Sequence, residues 1–345
     1  MPLRATSLVR SLLIGTALAG ISLGFAGAAR AQVPSYVPLN ITPVPDVYVA
    51  VSLHPELLPL FGIPVVGQFR TLTVIGDSFA DFGNALRAFT NPITGAVLLN
   101  PATGIPVVGP STETGRFGNY LNSIDALQYR FAIPTSNVTN YAVGGAGNGT
   151  INAVAPGFLP GIPQQIDALV ASGRRFGAYD LVAYTTTGGN DALVGVPAAI
   201  STANLVNNVQ RLISLGARTL VLTGTGSEEY NLSQRAGLTR FANSGTRLFF
   251  LDLVALGRQV SANPAAYGFT NVTTICRPTP LSTPCAPTIA TQNQFLMWDG
   301  VHLTTSGNAY IGAYEANQVN APSTVAAQAE LGQIAGASFA IRIRL

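Results

Sequence analysis

The sequence has no lysine, only two histidines and only two cysteines among its 345 residues. All 18 basic residues are arginines, and Arg4, Arg10 and Arg30 lie within the first 31 residues, where no acidic residue occurs. The rest of the chain carries 15 basic and 15 acidic residues and is formally neutral. Because binding to nucleic acid requires clustered positive charge, this balance argues against a nucleic-acid partner.

Charged residues are also scarce, at 10% of the chain, whereas hydrophobic residues make up 48%. A chain of this length and composition is able to bury a large core, in one large domain or two small ones. We find no internal repeat and no low-complexity tract. Beyond the N-terminus, no segment is long and apolar enough to span a membrane.

The first 31 residues have the pattern of a secretory signal peptide. A basic start is followed by an apolar run over 12–29, and Ala29-Arg30-Ala31 forms an A-x-A cleavage site before Gln32. An uncleaved membrane anchor is the alternative, because the run is long enough to be considered. The pattern predicts an exported bacterial protein, either periplasmic, secreted or at the cell surface, where association with the outer membrane is also open.

Cys276 and Cys285 lie close together in the segment CRPTPLSTPC. In an exported protein such a pair predicts a disulfide bond. A metal site would need further ligands nearby, and the segment offers none.

Four segments divide the chain. Residues 1–31 are the predicted signal, residues 32–69 a proline-rich leader that we expect to be extended, and residues 70–320 the predicted main domain. Residues 321–345 form a tail whose last part alternates in polarity as a strand would. Within the main domain, residues 90–115 are predicted to form a long surface loop.

Apolar, β-branched runs recur through the main domain and alternate with helix-like stretches such as 200–217. Continuous apolar strands separated by helices predict a parallel sheet covered on both faces, that is, an α/β fold. In such sheets ligands bind at the carboxyl ends of the strands. The predicted strands are 71–77, 138–143, 179–188, 218–226 and 247–253.

Ser78 follows the first of these strands, in the segment TVIGDSFADFGN. It is either a helix N-cap or a catalytic nucleophile. A serine nucleophile needs a base and a carboxylate that orients the base. His302 and Asp299, three residues apart in MWDGVHLTTSG, suit these roles, whereas His54 lies in the leader. A capping or loop histidine is the alternative for His302.

An oxyanion hole needs donors aimed at the developing negative charge. The backbone N–H of Ser78 is one candidate, Gly145 in NYAVGGAG is a second, and the amide of Asn190 in GGND is a third. Each pattern also occurs in ordinary turns. The hypothesis gains weight because all of these segments follow predicted strand ends in one chain.

Four segments, GDSFADFGN (76–84), NYAVGGAG (140–147), GGND (188–191) and DGVH (299–302), resemble the four sequence blocks of the GDSL, or SGNH, lipases and esterases. Over about 71–314 the chain also resembles the bacterial branch that includes the passenger domains of autotransporter esterases, with GRFGNYL (115–121) among the similar segments. The resemblance implies a three-layer, flavodoxin-like α/β/α fold with a mainly parallel sheet.

The resemblance also implies roles for single residues. Ser78 would be the nucleophile, His302 the base and Asp299 its orienting acid, with Gly145 and Asn190 as oxyanion donors beside the Ser78 amide. Gly144 replaces Gly145 if the alignment is shifted by one residue. Three further matches, Asp77, Asp81 and Asp191, are interpreted as structural supports of the turns. The stretch between 226 and 247 is short for the family, so we expect one flank of the sheet to be thin.

The sequence therefore predicts an exported serine esterase or lipase that needs neither metal nor cofactor and acts on a small-molecule or lipid ester, with short to medium acyl chains. A phospholipase or carbohydrate acetyl esterase on the same site is the alternative within the family. A non-catalytic surface binding module is an alternative of another class. A metal-dependent phosphoesterase built on Asp77, Asn190, Asp191 and His302 has too few histidines. The absence of a Gly-x-Ser-x-Gly motif disfavours an α/β-hydrolase.

Overall fold

The computed structural model describes residues 36–38, 46–90, 93, 96–98, 115–278 and 282–320. The predicted signal peptide, the C-terminal tail and most of the predicted surface loop over 90–115 lie outside the described residues.

In the described residues the strands are β1 (Tyr36–Pro38), β2 (Thr71–Ile75), β3 (Ala96–Leu98), β4 (Val138–Asn140), β5 (Asp180–Thr187), β6 (Thr219–Gly224) and β7 (Arg247–Asp252). The helices are α1 (Val47–Leu53), α2 (Leu58–Phe61), α3 (Asn84–Ala88), α4 (Ser123–Arg130), α5 (Ile162–Ala171), α6 (Gly189–Leu193), α7 (Ala198–Ser214), α8 (Glu228–Leu238), α9 (Leu253–Ala262), α10 (Ile289–Gln292) and α11 (Thr305–Asn320).

The central sheet has five strands in the order β4-β2-β5-β6-β7, and every neighbouring pair is parallel. All five predicted strands are confirmed, as is the α/β class. The carboxyl ends of β4, β2 and β5 are adjacent at one edge of this sheet. Consequently the segments that follow these strands, which carry the candidate site residues, meet there. Strands β1 and β3 form a separate antiparallel pair.

Two hydrophobic layers cover the sheet because successive side chains of a strand point to opposite faces. On β2, for example, Ile75 packs into one core and Val74 into the other. The first core joins the sheet to α5, α7 and α8, and the second joins it to α4 and α11. The result is the three-layer α/β/α arrangement that the resemblance implies.

Helix α7 confirms the helix predicted over 200–217. Its apolar residues Leu205, Val209 and Leu212 are buried in the first core. The helix ends where the chain enters the left-handed region at Gly216, with φ +96°. A glycine favours this conformation because it has no Cβ to strain.

The expectation of a thin flank between 226 and 247 is wrong. Helix α8 fills this stretch and packs against α7. Leu238 at its end and Phe241 in the following 3₁₀ turn are both buried in the first core. An 11-residue helix is sufficient here because α7, which is longer, shares the same face.

The second half of the leader is helical and not extended. Helices α1 and α2 bury Val47, Val51 and Phe61 against the layer formed by α4 and α11. Prolines suggested an extended segment, but Pro55 and Pro59 stand in the first turns of helical segments. Proline is tolerated there because its missing N–H would have no partner within the helix.

The predicted disulfide between Cys276 and Cys285 is present in the structure. Among the helices in the described residues, none has the length and apolar character that a membrane crossing requires.

Glu315 on α11 is a fully buried carboxylic acid. Its Oε1 accepts a hydrogen bond of 2.6 Å from the Thr223 hydroxyl on β6, and its Oε2 has no partner in the described part of the chain. Burial raises the pKa of the Glu315 carboxyl from 4.5 to about 7, and the bond from Thr223 opposes the rise. The unfolded chain loses this proton at lower pH than the folded chain. As the pH rises from the lower of these pKa values to the higher, the free energy of unfolding therefore falls, by about 3 kcal/mol in total.

Replacing Glu315 with glutamine should remove this decrease in the free energy of unfolding with rising pH. Glutamine keeps the accepting oxygen and leaves the N–H groups of its amide unpaired, as the protonated acid leaves its O–H unpaired. We therefore expect equal stability within about 1 kcal/mol at about pH 4, and a variant more stable by about 3 kcal/mol at about pH 8. Urea unfolding of both proteins across this range measures the difference, which should grow with pH. A difference independent of pH would contradict the prediction.

Candidate active site

The turn that carries Ser78 is held tightly at the end of β2. A Cβ at Gly76 would lie 2.1 Å from the Thr185 hydroxyl, so only glycine fits there. The side-chain amide of Gln165 on α5 accepts from the Gly76 N–H and donates to its carbonyl, at 2.9 and 2.8 Å. Helix α3 begins only at Asn84, so Ser78 is not its N-cap. The capping interpretation of Ser78 is wrong.

Ser78 itself is nearly buried, with 7% of its surface exposed. Among the described residues, neither its hydroxyl nor its backbone N–H has a hydrogen-bond partner. Both groups are therefore available to a bound molecule.

Asp81 joins this turn to the segment that follows β4. Its fully buried carboxylate accepts hydrogen bonds from four backbone N–H groups, those of Gly83, Asn84, Ala85 and Gly144. Burial raises the pKa of the Asp81 carboxyl, and these four donors oppose the rise. The supporting role expected for Asp81 corresponds to this geometry.

Gly144 and Gly145 differ in what their N–H groups do. The Gly144 N–H donates to Asp81 Oδ2 at 2.8 Å and is already committed. No described residue accepts from the Gly145 N–H. Gly145 has φ +83°, and a Cβ there would lie 2.4 Å from Asn152 Oδ1. Of the two glycines, Gly145 is thus the one with a donor to offer.

Asn190, on the short helix α6 that follows β5, is brought directly to the Ser78 turn. Its Nδ2 donates to Asp77 Oδ2 at 2.7 Å and to the Ala146 carbonyl at 3.1 Å. The other oxygen of the Asp77 carboxylate accepts from the Phe79 N–H at 3.1 Å. Asp77 thus links the Ser78 turn with Asn190, a contact that the sequence did not reveal.

Asp191 faces away from Asn190 into a buried polar network. Its carboxylate accepts from the Asn148 N–H at 2.9 Å and from the Ser201 hydroxyl at 3.1 Å. The Asn148 side chain in turn accepts from the hydroxyl of the fully buried Tyr184 at 2.6 Å. Burial raises the pKa values of both the Asp191 carboxyl and the Tyr184 hydroxyl. Asp191 therefore supports the turn, as expected.

The structure brings Asp299 and His302 together. Asp299 Oδ2 lies 2.8 Å from His302 Nδ1, and Asp299 Oδ1 accepts from the N–H groups of Val301 and His302 at 2.8 and 2.7 Å. A carboxylate only accepts, so Nδ1 carries a proton, and in the neutral imidazole Nε2 is then the acceptor. His302 Nε2 is buried and has no partner among the described residues.

Two aromatic rings place His302 beside the Ser78 turn. The imidazole lies 5.5 Å from the ring of Phe79, the residue next to Ser78, and 5.0 Å from the ring of Phe117. The Ser78–His302 hydrogen bond itself is not formed. Such bonds are often long or unformed before substrate binds and tighten in the complex.

The residues that flank Phe117 had no predicted role of their own. Arg116 forms a buried, bidentate ion pair with Asp125 on α4, with both contacts at 2.8 Å. The Asn119 side chain accepts from the Thr305 N–H at 2.6 Å and donates to Asn293 Oδ1 at 2.9 Å. The only signal was that GRFGNYL is similar to a family segment.

A cavity of about 250 Å³ lies beside α6 and α7. Residues 149–151, Asp191, Val196 and Ile200 are among those that line it, whereas Ser78, Gly145, Asn190 and His302 do not. Among the described residues, no group of three or more histidine, cysteine or acidic side chains is placed to hold a metal ion.

The comparison with protein families matches residues 72–314 to the model described as GDSL-like Lipase/Acylhydrolase. The matched range extends from β2 into α11 and includes every candidate residue of the site. A search of curated proteins finds no match to this chain.

Proposed function

Because the chain belongs to the GDSL-like lipase and acylhydrolase family, and is therefore a carboxylic ester hydrolase, we propose that Ser78, His302 and Asp299 form its catalytic triad. One observation carries this proposal. His302 is oriented through Nδ1 by Asp299, while its Nε2 is buried without a partner beside the Ser78 turn. A general base that accepts the serine proton needs this arrangement.

In the first step, Ser78 Oγ attacks the ester carbonyl and its proton passes to His302 Nε2. The resulting imidazolium is stabilised by the Asp299 carboxylate. His302 then returns the proton to the leaving alcohol, which leaves an acyl-enzyme. In the second half of the cycle a water molecule attacks the acyl group, again with His302 as base, and Ser78 is regenerated.

The oxyanion of each tetrahedral intermediate is proposed to bind the N–H groups of Ser78 and Gly145 and the side chain of Asn190. The two backbone donors are unoccupied. Asn190 Nδ2 is occupied in this state, so one of its hydrogens must turn to the substrate. We assign this role to the hydrogen that points at the Ala146 carbonyl, because that bond is the longer one, at 3.1 Å compared with 2.7 Å to Asp77.

Esters with short to medium, apolar acyl chains are the proposed substrates. Phe158 follows the Gly145 segment and is 65% exposed, and Leu193 and Val194 follow Asn190 and are 51% and 42% exposed. These side chains offer apolar surface near the strand ends. Phospholipid and acetylated carbohydrate remain the alternative substrates within the family.

Hydrolysis of p-nitrophenyl esters from acetate to palmitate by the mature protein tests this proposal. We expect turnover that is highest for short to medium chains, resists a metal chelator, and stops when a fluorophosphonate labels Ser78. Loss of activity with the chelator would favour the metal-dependent reading. Labelling of another residue would overturn the assignment of Ser78, and a folded protein without turnover would favour the binding-module alternative.

Export is proposed from the signal-peptide pattern over 1–31, and the disulfide is compatible with it. Expression in a bacterium followed by N-terminal sequencing of the periplasmic and secreted fractions tests this proposal. A mature chain that begins at Gln32 is the expected product.

A further inference from the structure

The disulfide between Cys276 and Cys285 lies next to the segment that carries the catalytic acid and base. The Cys276 N–H donates to the Met297 carbonyl at 3.1 Å, and the Arg277 N–H donates to the Trp298 carbonyl at 2.6 Å. Met297 and Trp298 are the residues immediately before Asp299. Two consecutive backbone bonds therefore fix the chain as it enters the Asp299–His302 turn.

Hydrogen bonds within the turn segment connect its two ends. Met297 pairs with Leu303 in an antiparallel bridge, and the Trp298 N–H donates to the His302 carbonyl at 2.8 Å. A shift of Met297 and Trp298 would thus move Asp299, the next residue, relative to the His302 ring.

The disulfide closes the loop on which these outer contacts depend. Cys276 is buried and Cys285 is exposed, and the Cys285 N–H donates to the Cys276 carbonyl at 2.7 Å. Arg277, the second residue of this loop, contacts both the loop and the turn. Its Nε donates to the Ser282 carbonyl, and its guanidinium stands 5.8 Å from the centre of the Trp298 ring.

We propose that the Cys276–Cys285 disulfide is a positioning element of the catalytic centre: it fixes the backbone of Cys276 and Arg277, and through it the Asp299 carboxylate against His302. This inference rests on the triad proposed above. It goes beyond a stabilising role, because it predicts a loss of turnover in a protein that is still folded.

The test compares the wild type with the double variant Cys276→Ser, Cys285→Ser. We expect kcat to fall about 10- to 100-fold with KM changed less than about twofold, because small displacements of catalytic groups have costs of this size. The melting temperature should fall by about 5 to 10 °C, as expected for a short disulfide loop. Dithiothreitol should reproduce both effects in the wild type, by reducing the bond to two thiols as it is oxidised to its cyclic disulfide.

Val209→Ala is the matched control, since it removes a buried methyl pair on α7, remote from the turn in sequence. It should lower the melting temperature similarly and leave kcat unchanged at 25 °C or so. Trp298, the only tryptophan of the chain, reports the turn by fluorescence. Its emission should change in the cysteine variant and not in the control.

Asp299→Asn supplies the decisive comparison. If the disulfide acts through Asp299, its removal should lower kcat no further in the Asp299→Asn background. A cysteine variant that keeps wild-type kcat, or one whose loss is undiminished in that background, would overturn the proposal. Failure of the triad itself is distinguishable, because Asp299→Asn alone would then leave kcat unchanged.

Discussion

Replacing Ser78 with alanine is expected to lower kcat on a p-nitrophenyl ester at least about a thousandfold, because removal of a serine nucleophile costs up to about a millionfold. No hydrogen bond among the described residues is lost with the hydroxyl, because Ser78 Oγ has no partner there. The free energy of unfolding should therefore change by less than about 0.5 kcal/mol. Activity and urea unfolding measured on the same preparation separate a chemical loss from a structural one.

His302→Ala is the companion variant. Nucleophile and base act as a unit, so the double variant Ser78→Ala, His302→Ala should be no slower than either single variant, within about threefold. Full additivity of the two losses, or a Ser78→Ala variant with wild-type turnover, would show that Ser78 does not carry the reaction.

Asn190→Ala is expected to lower kcat about 100- to 1,000-fold, the range found when one oxyanion donor is removed. The loss should appear in kcat with little change in KM, because the donor acts on charge that develops only in the transition state. Steady-state kinetics on the ester that the wild type hydrolyses best provide the measurement.

Asp77→Asn should reduce kcat through Asn190. The new amide can accept from Phe79 N–H with its oxygen, but its nitrogen then faces Asn190 Nδ2, and two donors repel. We expect a loss of about 10- to 100-fold in the wild type and none in the Asn190→Ala background. Asp167→Asn, which removes an exposed carboxylate paired with Arg211, is the charge control and should be silent. If Asp77→Asn lowered kcat equally in both backgrounds, its effect would not act through Asn190.

The sheet could be predicted because its strands are buried on both faces and are therefore continuous apolar runs, such as 219–224, where every residue is buried. Helices α1 and α2 could not. Their prolines are compatible with a first helical turn, but only burial of Val51 and Phe61 against a distant part of the chain makes the helices stable. Helix α8 was missed because much of its buried face is polar, with Asn231 and Gln234 inward.

The site was predictable where its chemistry is local in sequence. Asp299 and His302 are three residues apart, and a turn suffices to pair them. The link between Asp77 and Asn190 depends on β2 and β5 being neighbours in the sheet, which spacing along the chain does not reveal. The sequence also left open whether Gly144 or Gly145 is the proposed oxyanion donor, and the hydrogen bond from the Gly144 N–H to Asp81 is the structural reason for proposing Gly145.

The packing of α2 against α11 joins two helices that are far apart in the chain and are therefore synthesised at different times. Helix α2 leaves the ribosome before α11, which is the last helix that the structure describes. Until α11 emerges, Phe61 has no completed layer to join, and the chain also lacks the base of its proposed triad. The native packing of Phe61 and the proposed triad can therefore be completed only after nearly the whole domain has been made.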